Sequence, residues 1–124
     1  FLKKIPKIYG VQSDESQSFY EQFKKKSPFP IKLKANSKCD SINVDQPLDG
    51  FYAYKYLSEM KGNMLKIKDS NILSAKKKLL NYLGINCCLA SASSFALLKK
   101  FIKKKKIKNK SFFLILTGSG LKDI

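Results

Sequence analysis

NMLKIKDSNILSAKKKLLNYLG, residues 63–84, changes its period part-way along. From Met64 to Lys68 apolar and polar side chains alternate, which is the two-residue period of a strand with one buried face. Asp69 or Ser70 then stands where a helix cap belongs. Beyond it Ile72, Ala75, Leu79, Leu80 and Leu83 fall on one helical stripe, while Lys76, Lys77 and Lys78 face outward. Gly84 stops the pattern. A short strand running straight into an amphipathic helix points to an α/β chain.

The flanking segments extend this reading. KIYGVQ, residues 7–12, predicts another short buried strand, and SDESQSFYEQFKKK after it predicts a helix. Ser13 and Asp14 are its cap candidates, with Phe19, Tyr20 and Phe23 on one side. Residues 27–40 hold two prolines and no sustained period, so they read as a connection. VDQP closes a polar turn, and a helix from Asp49 places Phe51, Tyr54 and Leu57 at spacings of three. Residues 90–104, ASASSFALLKKFIKK, predict a helix that starts with small residues and carries Phe95, Leu98, Phe101 and Ile102 on its later face. The lysines that end it suit the negative helix terminus. FFLILTG, residues 112–118, predicts a final strand, apolar on both faces as a helix-covered parallel sheet requires.

The chain has 124 residues, enough for one domain with one core, and 44% of them are hydrophobic, which argues against global disorder. It begins at Phe1 rather than Met, as expected of a piece of a longer protein, although processing would give the same start. The formal charge is +16, and all 25 cations are Lys. A surface built to read nucleic acid normally uses some Arg, and an A+T-biased genome yields the same lysine excess, so no specific nucleic-acid partner is expected. Non-specific attraction to polyanions at low salt is expected from charge alone. Cys39, Cys87 and Cys88 are odd in number and lack metal-ligand spacing, and the sequence has no His. A reducing, cytoplasmic setting fits them. No apolar stretch is long enough for a membrane span, so no membrane partner is expected.

Chemistry has few places to reside. Thr117, Gly118, Ser119 and Gly120 lie beyond the carboxyl end of the last apolar run, where open α/β sheets bind ligands. Glycines admit close approach to the backbone and the hydroxyls donate or accept hydrogen bonds, but an ordinary turn has the same composition. Ser91, Ser93 and Ser94 form a second small-residue cluster at a helix start, open either to an anion or to close packing. Without His the usual serine triad is excluded. Asp40, Asp45 and Asp49 are too scattered to make a metal site, and Cys87 and Cys88 suit burial before a helix.

Five segments in order, GVQSD, ANSKCDSINVDQPLDGFYAYKYL, IKDSNILSAKKKLLNYLGI, ASASSFALLKKFI and LTGSGLKD, resemble the carboxyl-terminal third of the threonine synthases and their relatives among the fold-type-II pyridoxal-phosphate enzymes. The resemblance covers nearly the whole chain, and LTGSGLKD is its most specific piece. It implies a partial three-layer α/β/α domain with a mostly parallel sheet. Residues 1–124 would be the carboxyl-terminal portion of the enzyme. In that family the threonine of the LTG segment hydrogen-bonds the pyridine nitrogen of pyridoxal phosphate, a role implied here for Thr117, with Gly118 and Ser119 beside it. The family's Schiff-base lysine and phosphate-cradling glycine loop belong to the amino-terminal part and match nothing here, so no lysine is implied as catalytic and the chain alone is expected to be inactive. Lys122 is read as a family signature near the site. Cys88 and Leu89 stand where relatives commonly carry an acidic residue and a proline, and Ser119 stands where a histidine is usual.

The implied reaction of the whole enzyme is conversion of O-phosphohomoserine and water to threonine and phosphate, with a phosphorylated amino acid as substrate, the rest of the enzyme chain as partner and a homodimer as the full-length state. Cysteate synthase and serine or threonine dehydratase are related alternatives on the same fold. A non-catalytic remnant or binding domain is an alternative of another class.

Overall fold

The computed structural model describes residues 6–103 and 109–122. In chain order these form β1 (Tyr9–Ser13), α1 (Ser18–Lys24), α2 (Gly50–Glu59), β2 (Asn63–Ile67), α3 (Asp69–Leu83) and α4 (Leu89–Lys103), with short 3-10 turns at Asp40–Ile42 and Gly120–Lys122. β1 and β2 pair in parallel, from Tyr9 opposite Asn63 to Ser13 opposite Ile67. The intervening chain, including α1 and α2, makes the crossover that parallel strands require.

The register separates two faces. Val11 pairs with Leu65 and Ser13 with Ile67. These positions join the core formed by Ile72, Ala75 and Leu79 of α3 and Ala92, Ala96 and Leu97 of α4. Gln12 pairs with Lys66 on the opposite face, which turns to α1. There Gln12 accepts the Tyr20 amide hydrogen at 2.8 Å, Lys66 donates to Gln17, and its ammonium sits 4.9 Å from the Tyr20 ring centre. Helices on both sides of the sheet give the expected three layers, α1 over β1–β2 over α3–α4.

Gly84 ends α3 for a conformational reason. Its φ is +65°, and its amide and that of Ile85 return to the carbonyls of Leu80 and Leu79. A Cβ at Gly84 would meet nothing within 4 Å, so left-handed backbone, not space, selects glycine.

Several local expectations are corrected. α1 begins at Ser18, not after Ser13 or Asp14, and Gln17 at its cap makes no side-chain cap bond. Ser13 instead donates to Asp69, across the domain, and the Asp14 amide continues the ladder to the Ile67 carbonyl. The fully buried residues of α1 are Ser18 and Gln22 rather than its aromatics, because the helix packs on carbonyls: Ser18 donates to Val44 and Gln22 to Gly50. Neither Asp69 nor Ser70 caps α3; Lys68 holds the cap position and Asp69 is the first helical residue. Leu80 and Leu83 are exposed, so the buried stripe of α3 is narrower than the period suggests.

α4 buries its small side, Ser91, Ala92, Ser93 and Ala96, together with Leu97, while Ile102 is exposed. Small side chains let α3 and β1–β2 approach closely. The final apolar run joins no ladder among the described residues. Phe112 stacks on Phe101 at 6.3 Å, and Gly118 meets Ser91. Ten helical residues rise about 15 Å. Bridging that rise with six residues requires a nearly extended chain at roughly 3 Å each. The segment therefore runs antiparallel along α4. Phe113 is 92% and Ile115 66% exposed, while Leu114 and Leu116 are half-buried, so one face is covered, not two. A ladder needs a neighbouring strand, and none of the described residues supplies one.

Candidate functional site

Two segments meet at the start of α4. The Cys88 amide donates to the Gly118 carbonyl at 2.9 Å, and the Gly120 amide donates to the Asn86 carbonyl at 3.0 Å. Cys87 and Ser119 form the antiparallel bridge between these bonds. The pairing brings the tip of the apolar run onto the small-residue helix start, 26 residues away in sequence. Glycine makes the approach possible: a Cβ on Gly118 would lie 2.5 Å from Cys88 Sγ. The space at Gly118 is thus used by the protein's own thiol.

Ser91 links the parts. Its hydroxyl accepts the Gly118 amide hydrogen at 2.8 Å and lies 3.2 Å from Cys88 Sγ and 3.5 Å from Thr117 Oγ1. Cys88 sits just before α4, and its sulfur accepts the Ser91 amide hydrogen at 3.5 Å, the part that a hydroxyl or carboxylate plays in an ordinary N-cap. Cys88 and Ser91 are buried, at 4% and 3% exposure, whereas the Thr117 side is open to solvent. The result is a hydroxyl at the surface fixed from behind by buried partners.

The other sequence candidates are placed elsewhere or serve structure. Ser93 and Ser94 donate to the carbonyls of Ala90 and Ser91 within their own helix. Ser119 accepts the Leu121 amide hydrogen at 3.3 Å. The side chain of Lys122 lies outside the described part of the chain. Asp45 accepts the Ala35 amide hydrogen, and no group of residues able to hold a metal ion occurs among the described residues. All three cysteines are buried.

A second polar centre joins residues of three segments of the resemblance, GVQSD, ANSKCD and IKDSN, of which the sequence marks Ser13 and Asp69 only as helix-cap candidates. The Asp69 carboxylate, 7% exposed, accepts hydrogen bonds from Ser13, from Ser37 at 3.0 Å, from the Lys38 amide at 2.7 Å and a longer contact from Cys39. Burial pushes this carboxyl upward, but hydrogen bonds from Ser13, the Lys38 amide, Ser37 and Cys39 together outweigh it and hold the group below its ordinary value. Asp69 ties β1, the 37–39 loop and the start of α3 into one unit.

The Thr117 cluster fits one edge of a heteroaromatic cofactor. A neutral hydroxyl backed by a serine and a thiol, with no carboxylate in the cluster, suits a ring nitrogen as partner. It does not suit a phosphate, because the amides of Gly118, Gly120 and Leu121 are all taken within the protein. A phosphate therefore requires other residues than these.

Comparison with known proteins identifies the family. The chain is 31% identical to the threonine synthase of Methanocaldococcus jannaschii over 98% of its own length, and 30% identical to that of Methanosarcina acetivorans over 96%. It spans 31% and 30% of those relatives. Among solved structures, the processed form of threonine deaminase isoform 2 from Solanum lycopersicum superposes with a TM-score of 0.80 at 21% identity, covering 91% of this chain and 30% of that one. Serine racemase from Dictyostelium discoideum gives 0.69 at 17% identity, covering 91% and 34%. At such identities the structures show a shared fold. Residues 2–118 match the family described as pyridoxal-phosphate dependent enzymes, and the chain belongs to that family.

Proposed function

We propose that residues 1–124 are the carboxyl-terminal portion of a pyridoxal-phosphate dependent threonine synthase, whose amino-terminal part carries the cofactor-binding lysine and the phosphate loop. The observation that carries the reading is the exposed Thr117 hydroxyl held against Ser91, on a segment seated by Gly118 over Cys88. The curated relatives that match over almost the whole chain are threonine synthases, which favours that reaction over a dehydratase. The whole enzyme would convert O-phosphohomoserine and water to threonine and phosphate as a cytoplasmic homodimer. Among the described residues no helix is long and apolar enough to cross a membrane.

Pyridoxal phosphate supplies the electron sink for such a replacement. Thr117 would meet the ring nitrogen through a neutral hydroxyl, and no carboxylate stands beside it in the described cluster to hold a proton on that atom. Ser91 and Cys88 fill the space behind Thr117, exclude water from its inner side and keep the hydroxyl at a fixed position. Gly118 and Ser119 seat the segment. Alone, the chain has one wall of a cleft and is expected to turn over nothing.

The test uses the full-length protein of the same gene. Phosphate release from O-phosphohomoserine with stoichiometric threonine, together with a cofactor absorbance band in the region of roughly 300 to 500 nm that moves on substrate addition, is the expected result. A cofactor band with 2-oxobutanoate released from threonine and no phosphate release would establish the dehydratase reading instead. Absence of any bound cofactor would leave a remnant or binding domain.

A further inference from the structure

We propose that α2 is a self-association surface, through which two copies of the full-length protein meet by the outward faces of their Gly50–Glu59 helices, packed antiparallel about a two-fold axis. This deepens the homodimer proposed above and rests on the full-length chain self-associating. α2 is held from one side. Gly50 and Leu57 are buried, and Tyr54 meets Phe23 of α1 edge-on, with ring centres 5.8 Å apart. At about 100° per residue, the opposite side of the helix carries Tyr52, Lys55, Tyr56 and Glu59, with Ala53 and Met60 along one flank. A surface helix ordinarily turns charged residues this way. Here the two tyrosines at the centre are 58% and 55% exposed, and Met60 is exposed beside them. The Lys55 ammonium lies 5.7 Å from the Tyr56 ring centre, at the edge of the patch.

Lysine content sets this face apart. Lysine makes up 25 of the 124 residues, and α3 turns Lys77 and Lys78 to solvent in succession. α2 has a single lysine in its 10 residues. Aromatic residues and Met with little lysine are the composition of an interface centre. With a formal charge of +16 on each copy of this segment, approach through a lysine-rich face is opposed, whereas a lysine-poor face lets copies meet. Tyrosines exposed by about half leave roughly 100 Å² apiece to be covered. With Phe51 and Met60 the patch offers about 350 Å² per copy, the apolar centre of an interface of about 800 Å² a side.

The face also fits itself. In an antiparallel two-fold pair each flank of the helix meets the same flank of the other, run in the opposite direction. With Tyr56 near the axis, Lys55 lies opposite the second copy's Glu59 on one flank, and Met60 lies opposite the second copy's Ala53 on the other. Cation meets acid and a large side chain meets a small one, each twice. Within one chain Lys55 and Glu59 stand one turn apart, yet among the described residues Glu59 makes no ion pair. Its carboxylate is therefore open to a second copy. A cover supplied by the amino-terminal part of the chain has no such reason to match both charge and size. α2 lies on α1, across the sheet from α4, so a copy docked there leaves Thr117 open.

The experiment is sedimentation of the full-length protein over a range of concentrations, with thermal melting recorded for each variant. Tyr56→Lys sets two ammonium groups against each other at the axis. It should halve the particle mass and raise the dissociation constant at least about thirtyfold, the loss typical of a central aromatic. Lys55→Glu alone and Glu59→Lys alone set like charges opposite each other and should each weaken association about tenfold. Lys55→Glu lowers the net charge and would otherwise favour association, so its weakening is specific. The double variant restores opposite charges and should return to the wild-type value. All of these positions are exposed, so the variants fold. A wild-type particle that is monomeric at every concentration would overturn the homodimer and the α2 surface together. A dimer whose mass no variant changes would overturn the surface alone, and a lower melting temperature at that unchanged mass would assign α2 to contact with the amino-terminal part of the same chain. Association lost in both single charge variants and not regained in the double variant would overturn the antiparallel pairing.

Discussion

Replacing Asp69 by Asn tests whether this carboxylate holds the amino-terminal half of the domain together. In the native protein both carboxylate oxygens are used: Ser13 and Ser37 approach Oδ1, and Ser37 and the Lys38 amide approach Oδ2, the last at 2.7 Å. Asn is nearly isosteric but turns one acceptor into a donor. With its oxygen on the Lys38 amide the Asn turns its NH2 toward Ser13 and Ser37, whose hydroxyl hydrogens lose their acceptor; turned the other way, its NH2 faces the Lys38 amide hydrogen. Leaving such a group unsatisfied costs about 1–3 kcal/mol. Loss of a negative charge in the first turn of α3 adds about 0.3–1 kcal/mol. The expected destabilisation is therefore about 1–4 kcal/mol, measured by urea unfolding of the full-length protein at neutral pH. The pH dependence has a definite sign. Because the folded carboxyl titrates below its ordinary value of 3.8, its contribution is complete above that value and is lost as pH falls through the lower folded value. Wild type should lose stability in this acid window more steeply than Asp69→Asn, and the curves should converge at its lower end. Tryptic cleavage at exposed Lys38 should also rise in the variant at neutral pH. A variant within about 0.5 kcal/mol of wild type, with the same acid slope, would refute the reasoning, since ordinary surface substitutions fall in that range.

Three further outcomes follow from the geometry. Gly118→Ala places a Cβ 2.5 Å from Cys88 Sγ, and the overpacking should cost about 1–3 kcal/mol in thermal unfolding and weaken cofactor retention, with Cys88→Ala in the same chain relieving part of the loss. Gly84→Ala meets no atom but forces a side chain into left-handed backbone, so it should cost about 1 kcal/mol in unfolding and leave cofactor absorbance unchanged. Thr117→Ala removes an exposed hydroxyl, so it should leave the melting temperature nearly unchanged and alter the absorbance of the bound cofactor; an unaltered spectrum would count against Thr117 as the ring partner.

Local pattern made some elements legible. α3 could be read because its apolar period and the glycine that ends it act within a few residues of each other, and β2 because alternation is a property of the strand itself. The caps were misread for the opposite reason. Ser13 and Asp69 both have the chemistry of helix caps, yet each satisfies the other across 56 residues of sequence. A local side-chain bond competes with a tertiary one, and the buried tertiary bond to a charged acceptor is the stronger. The final apolar run failed in a related way. Its composition announces burial, but burial on two faces depends on neighbours that the run does not itself encode.

The same distinction applies to the site. Position at the end of an apolar run singled out Thr117, Gly118 and Ser119, and small-residue composition singled out Ser91, but neither signal says that the two segments touch. The explanation of the glycine also changes. In the sequence, Gly118 reads as room for a ligand; in the fold, that room is filled by the thiol of Cys88. A larger residue at position 118 would push the segment off α4, and a residue longer than Cys at position 88 would do so from the other side. The two positions are therefore coupled, and the small size of one is meaningful only beside the other. Thr117 is the residue whose placement that coupling determines, since its backbone neighbour is pinned to Ser91 and Cys88 while its own side chain, 3.5 Å from the Ser91 hydroxyl, stays on the exposed side. If this is the origin of its position, Gly118→Ala and Cys88→Ala should be non-additive in cofactor retention, the double variant binding better than Gly118→Ala alone, because neighbours that share a contact couple where distant sites would not.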